Sequence, residues 1–235
     1  MSQINHVHLF FEQSGTWKRA FAKHGIPATD YDIENQFGQT DVVCDLFDVI
    51  NTAYYTTDKT LFDNITPEDL IIAFFPCTYF CEVNMMYFCG NQLNYRNHTK
   101  TFILNDIIKR ATERHTYYER LLQLCYVVES RKLRLIVENP YSALHYLFRN
   151  FPYKPMIDRN RYQRGDNFKK NTQYFFVNCE PYQLYTYSVN TKLKKQKSMN
   201  KGIERSLMTD TYAENFICDV ILGKQRKNTQ TALIF

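Results

Sequence analysis

A chain of 235 residues with 44% hydrophobic and 16% aromatic content can bury one sizeable core and is too apolar to be disordered. Its longest apolar runs fall far short of a membrane span, and the opening "MSQINHVHLF" lacks the basic start and long apolar segment of a secretory signal, so a cytoplasmic protein is expected. Seven scattered cysteines argue against a disulfide scaffold, six dispersed histidines argue against zinc, and the net charge of +5 suits a polyanionic partner as well as a solvated surface.

Strand-like and helix-like segments alternate along the chain, which predicts an α/β fold. His6–Phe11 reads as a first strand, and Ser14 as the cap of a helix that stops at Gly25. Ala28–Ile33 and Thr40–Phe47 read as the second and third strands. The fourth lies in "DLIIAFFPCTYFC", where Leu70–Phe75 is an unbroken apolar run closed by Pro76. Such a run is a strand buried on both faces, as a parallel sheet needs. Cys77 then stands just past its carboxyl end, the edge at which open α/β sheets bind ligands.

A long helix is predicted through Ile107, Ala111, Tyr118, Leu121, Cys125 and Val128, which keep one apolar face at helical spacing. Leu133–Pro140 is a fifth strand, ending on Glu138 and Asn139, and Thr172–Cys179 a sixth. Tyr212–Lys224 reads as a closing helix. The expected organisation is a catalytic domain over 1–180, a short basic loop or reduced recognition segment over 181–210, and a C-terminal helical segment, 211–235, that packs back on the catalytic domain.

Several polar groups fall at strand ends. Asp32 is placed to take the two hydroxyls of a ribose, and Asp45 to accept from an adenine amine, although acids also end strands for solvation. Cys77 is a candidate nucleophile, against the bland reading of a small buried hydrophobe. Two late stretches, Arg159–Lys170 and Thr191–Arg205, concentrate the basic excess. Lys169, Lys170, Lys192, Lys194, Lys195 and Lys197 are candidates as a group for gripping phosphate.

In order along the chain, Phe10, Gly15, Asp32, Asp45, Pro76-Cys77 and Glu138-Asn139 resemble the DNA (cytosine-5) methyltransferase family, especially its compact phage-type members. The resemblance covers roughly the first three quarters of the chain and returns weakly in "RSLMTDTYAENFICDVILG". Glu12 stands where the family's cofactor loop has its first glycine, Pro140 where valine is usual, and little chain follows Cys179 for a target-recognition domain.

This resemblance implies a Rossmann-like methyltransferase fold, a mostly parallel sheet with helices on both faces. It implies methyl transfer from S-adenosylmethionine to carbon 5 of cytosine in DNA, through base flipping and a covalent Cys77 adduct. Glu138 would then serve ring nitrogen 3, and Arg161, at the family's spacing of alternate arginines with Arg159, the cytosine carbonyl; phosphate contact or plain exposure is an equal reading of each arginine. Cofactor contacts are implied for Phe10, Ser14, Gly15, Asp32, Ile33, Asp45, Leu46 and Pro76, with no metal. The protein would work in a host cytoplasm if phage-encoded. The alternative is a catalytically inactive methyltransferase-like protein that binds a nucleotide or nucleic acid as a counter-defence or regulatory factor. Glu12 and the reduced recognition segment favour it, and the joint presence of Cys77 and Glu138 opposes it. A different base-modifying enzyme using the same thiol addition is a third class.

Overall fold

The computed structural model describes residues 3–189 and 207–224. In chain order the main elements are β1 (Val7–Phe10), α1 (Thr16–Ala22), β2 (Ala28–Asp32), β3 (Val42–Val43), α2 (Leu46–Tyr55), β4 (Leu70–Ala73), α3 (Glu82–Phe88), α4 (Lys100–Ser130), β5 (Arg134–Pro140), α5 (Tyr146–Asn150), β6 (Pro155–Asp158), β7 (Thr172–Val177) and α6 (Asp210–Phe216). They build a seven-stranded sheet of order β3-β2-β1-β4-β5-β7-β6. β1, β2, β3, β4 and β5 run parallel, with Phe10 beside both Tyr31 and Ala73, and Ala73 beside Val137. β7 returns antiparallel between β5 and β6.

The α/β architecture, the parallel core and the helices on both faces agree with expectation. Period-two alternation divides the sheet residues between two layers. Leu9, Leu70, Ile72, Ile136 and Tyr174 pack under α1 and α6 with Trp17, Phe21, Tyr212 and Phe216. Phe10, Ile71, Ala73, Leu135, Val137 and Phe175 face α2 and α4 through Leu46, Ile50, Leu121, Leu124 and Val128. Burying one such side chain contributes about 1.5–3 kcal/mol. α4 is longer than its apolar stripe: its buried residues lie between Leu121 and Val128. Its amino-terminal half instead supports α3, where the Arg110 guanidinium lies 3.7 Å from the Tyr87 ring centre and donates to Asn84 at 3.2 Å.

Three local expectations are corrected. The third strand does not run to Phe47: the Asp45 carboxylate accepts from the amides of Phe47 (2.9 Å) and Asp48 (3.4 Å), and this cap turns the chain into α2 after two strand residues. Ser14 is not the cap residue of α1. Gly15 holds that place in the left-handed region at φ 68°, and a Cβ there would come within 3.0 Å of both Arg19 and Gln39 side-chain atoms. The edge strand β6 is additional to the six strands expected.

The closing helix is present as α6, continued by a π-helical turn, Ile217–Leu222, that buries Asp219. This carboxylate accepts from Arg164 and from the Thr186 amide and hydroxyl, both at 2.6 Å, while Arg164 Nε donates to Asp158 at 2.9 Å. The Tyr182 amide donates to Val220 at 2.8 Å and the Ser188 amide to Gln163 at 2.8 Å. Residues 181–189, assigned to a basic loop, therefore lie along this buried network; the lysines at 192, 194, 195 and 197 lie outside the described residues. Among the described residues no helix is long and apolar enough to cross a membrane.

Candidate active site

Because five strands are parallel, their carboxyl ends reach one edge of the sheet. Strand order reverses between β1 and β4, the switch point at which α/β sheets open a crevice. A cavity of about 670 Å³ lies there, lined by the loops after β1, β2, β4 and β5 together with the start of α2, Tyr117 and Lys170.

The half built by β4 and β5 carries Cys77 and Glu138, both lining the cavity. The chain turns directly after Cys77: the amides of Phe80 (2.9 Å) and Cys81 (3.2 Å) both donate to the Cys77 carbonyl. Phe80 is fully buried and stacks between Phe75 and Tyr146, which fixes that turn from beneath. Asn139 explains the second half of the Glu-Asn pair. Fully buried on β5, its side-chain amide donates to the Phe75 carbonyl at 2.8 Å and ties the cysteine loop to the glutamate strand.

Electrostatics set the resting protonation of the pair. Burial pushes the Cys77 thiol up to about 11, reinforced by Cys81 and Glu138 and opposed by Lys170. Burial also raises the Glu138 carboxyl, with Lys170 and then Arg161 opposing. Burial and the neighbouring Arg161 lower the Lys170 ammonium. A thiol and a carboxyl group thus face one cavity, and burial shifts both toward their protonated forms.

Arg161 does not line the cavity. It is fully buried against Asp166, with Nε at 2.6 Å and Nη2 at 2.5 Å from the carboxylate, and acts on Glu138 only through its charge. The cation at the cavity wall is Lys170. It reaches Glu138 because the antiparallel return of β7 sets Thr172 beside Pro140 and Asn171 accepts the Tyr141 amide at 3.0 Å.

The other half is built by β1, β2 and β3. Ser14, Asp32, Ile33, Asp45 and Leu46 line this half of the cavity, and Pro76, after β4, lines it as well. Asp32 accepts from the Glu34 amide at 2.8 Å, and its carboxyl is raised by burial. Asp45 uses one oxygen to cap α2. Phe10 and Gly15 do not line the cavity: Phe10 is core, and Gly15 shapes the loop from beneath. Phe11 is the aromatic of the site. At φ 59°, outside the usual range for a non-glycine residue, it donates its amide to Tyr31 at 2.8 Å and sets its ring edge-on against Phe47 and Phe75. Tyr117, edge-on to Phe47 at 5.0 Å, extends this wall from α4.

Glu12, Asp32, Glu34, Asp45 and Glu138 line the cavity, and among the described residues Lys170 is the one basic residue of its wall. This balance disfavours a polyphosphate and favours a ligand carrying positive charge. Among the described residues no group of three or more His, Cys, Asp or Glu could hold a metal ion. No protein-family model matches the chain, and a search of curated proteins finds no match to it.

Proposed function

We propose that the protein transfers a methyl group from S-adenosylmethionine to carbon 5 of cytosine in DNA. The observation that carries this reading is the convergence of Cys77 and Glu138 with Asp32 and the Phe11–Phe47–Phe75 wall in one acidic cavity at the switch point of the sheet. The cavity suits the cofactor's chemistry: an acid at the end of β2 for a ribose, aromatic rings for a purine, and negative charge for a sulfonium.

When bound, S-adenosylmethionine supplies an electrophilic methyl group. The protein's task is to make carbon 5 nucleophilic. The Cys77 thiol gives its proton to solvent and the sulfur bonds to carbon 6 of a flipped cytosine, while Glu138 gives a proton to ring nitrogen 3, so the electron pair of the 5,6 double bond becomes available at carbon 5. After methylation, the carbon 5 proton passes to a solvent base, the nitrogen 3 proton returns to Glu138 and the Cys77 sulfur is expelled, which restores the ring. Lys170 assists by its charge, which favours the thiolate. The high resting position of the thiol keeps the nucleophile protonated until a base and the ammonium share the cavity.

DNA containing 5-fluorocytosine tests this directly. With the cofactor present, the fluorine cannot leave as a proton does, so the wild-type protein becomes covalently trapped and peptide mapping finds the adduct on Cys77. Cys77→Ser forms none. Cofactor binding without trapping would favour the inactive, nucleotide-binding reading, and an adduct on Cys81 or Cys89 would overturn the assignment of the nucleophile.

A further inference from the structure

The loop after β1 holds a glutamate that the chemistry above leaves unused. Strand order fixes where it stands: β2 and β3, carrying Asp32 and Asp45, lie on one side of β1, and β4 and β5, carrying Cys77 and Glu138, on the other. A ligand with its nucleoside at Asp32 and its reactive end toward Cys77 must cross the residues that follow β1, and Glu12 lines the cavity there. We propose that Glu12 forms the charge pair with the cationic aminoacyl end of S-adenosylmethionine, an inference that rests on the cofactor reading given above.

The surroundings of the carboxylate support this role. Its hydrogen-bond donors are neutral: the Ser14 amide at 3.0 Å, the Ser14 hydroxyl and the Thr16 amide. The charges that act on it, from Asp30 and Asp32, are negative. Lys18 of α1 is held by Asp30 at 3.2 Å and Asp41 at 2.8 Å. Burial raises the Glu12 carboxyl, as expected of an acid that forms no ion pair among the described residues. A bound sulfonium and ammonium supply a counter-charge. The hydrogen bonds from Ser14 meanwhile fix the carboxylate before the ligand arrives, which reduces the ordering cost of binding.

Calorimetric titration of wild type, Glu12→Gln and Glu12→Asp with S-adenosylmethionine and with 5′-methylthioadenosine tests the pairing. The second ligand keeps the adenosine and the sulfur but carries no charge. Glu12→Gln is expected to weaken S-adenosylmethionine roughly tenfold to a hundredfold and 5′-methylthioadenosine by less than about threefold. Glu12→Asp keeps the preference for the charged ligand. Equal weakening of both ligands by Glu12→Gln, or unchanged affinity for S-adenosylmethionine, would overturn the role of Glu12. Wild-type protein that binds neither ligand would instead overturn the methyltransferase reading itself.

Discussion

Replacing Asn139 by alanine separates what holds the site from what performs its chemistry. The side-chain amide of this fully buried residue donates to the Phe75 carbonyl at 2.8 Å, and Phe75 is itself only 2% exposed. Truncation removes the donor and leaves a carbonyl in the core, at a cost of about 1–3 kcal/mol. The small void left beside β5 adds roughly 1 kcal/mol, for a total of about 2–4 kcal/mol. Urea titration should show a lower midpoint at unchanged slope. Because the broken bond is the tie between β5 and the loop that presents Cys77, alkylation of Cys77 by iodoacetamide, followed by peptide mass spectrometry, should accelerate severalfold while Cys125, on the buried face of α4, stays protected. A midpoint within about 0.5 kcal/mol of wild type, with unchanged Cys77 alkylation, would refute the idea that this hydrogen bond fixes the loop.

Other expectations address the charges around the site. Lys170→Met should move the pH dependence of Cys77 alkylation to more alkaline values, since the ammonium is the group that opposes the raised thiol; an unmoved profile would remove Lys170 from the site's electrostatics. Asp32→Ala should weaken S-adenosylmethionine binding by about 1.5–3 kcal/mol through loss of a charge-assisted hydrogen bond, and Asp45→Ala by less, both read by calorimetry. Asp166→Ala leaves the Arg161 guanidinium buried without its partner and should cost about 3–5 kcal/mol in urea unfolding. His145 is held neutral by burial, its pKa lowered to about 4 against 6.5 when unfolded. Between pH 4 and 6.5 the unfolded chain therefore binds more protons, and stability rises with pH by up to roughly 3 kcal/mol, a slope that His145→Gln should flatten.

The central part of this site was legible in the sequence because it depends on strand ends. An unbroken apolar run before Pro76-Cys77 and another before Glu138-Asn139 suffice to place both residues at one edge once the strands are parallel. What was missed depends on events one sequence cannot display. Phe11, not Phe10, faces the cavity because the residue after a strand follows the turn rather than the pleat, and here the turn takes φ to 59°. Lys170, considered only as one phosphate-gripping lysine among six, becomes part of the site through the antiparallel return of β7, a pairing decided by the whole sheet. Arg161 was drawn away by an acid five residues later, and no spacing rule distinguishes that local capture from an arginine reaching a ligand. The third strand reaches only Val43 because "VVCDLF", apolar enough to suit a strand, contains the Asp45 cap, a short-range hydrogen bond that decides for helix.

The covering of the sheet face that holds Leu9, Ile72 and Tyr174 has a consequence for how the chain is made. That face is closed by α1 and by α6 with its π-helical turn, and the second of these comes from residues 210–222, almost the last described part of the chain. During synthesis the seven strands and the cysteine loop leave the ribosome first, with Trp17, Tyr174 and the buried guanidinium of Arg164 still lacking Phe216 and Asp219. A nascent chain stopped before residue 210 carries an open apolar face and a buried arginine paired with Asp158 alone, so it is expected to be sticky and protease-sensitive until that helix docks. This segment thus acts as a timing device: Cys77 is emitted early, but the scaffold that holds it becomes rigid only once residues 210–222 have been made.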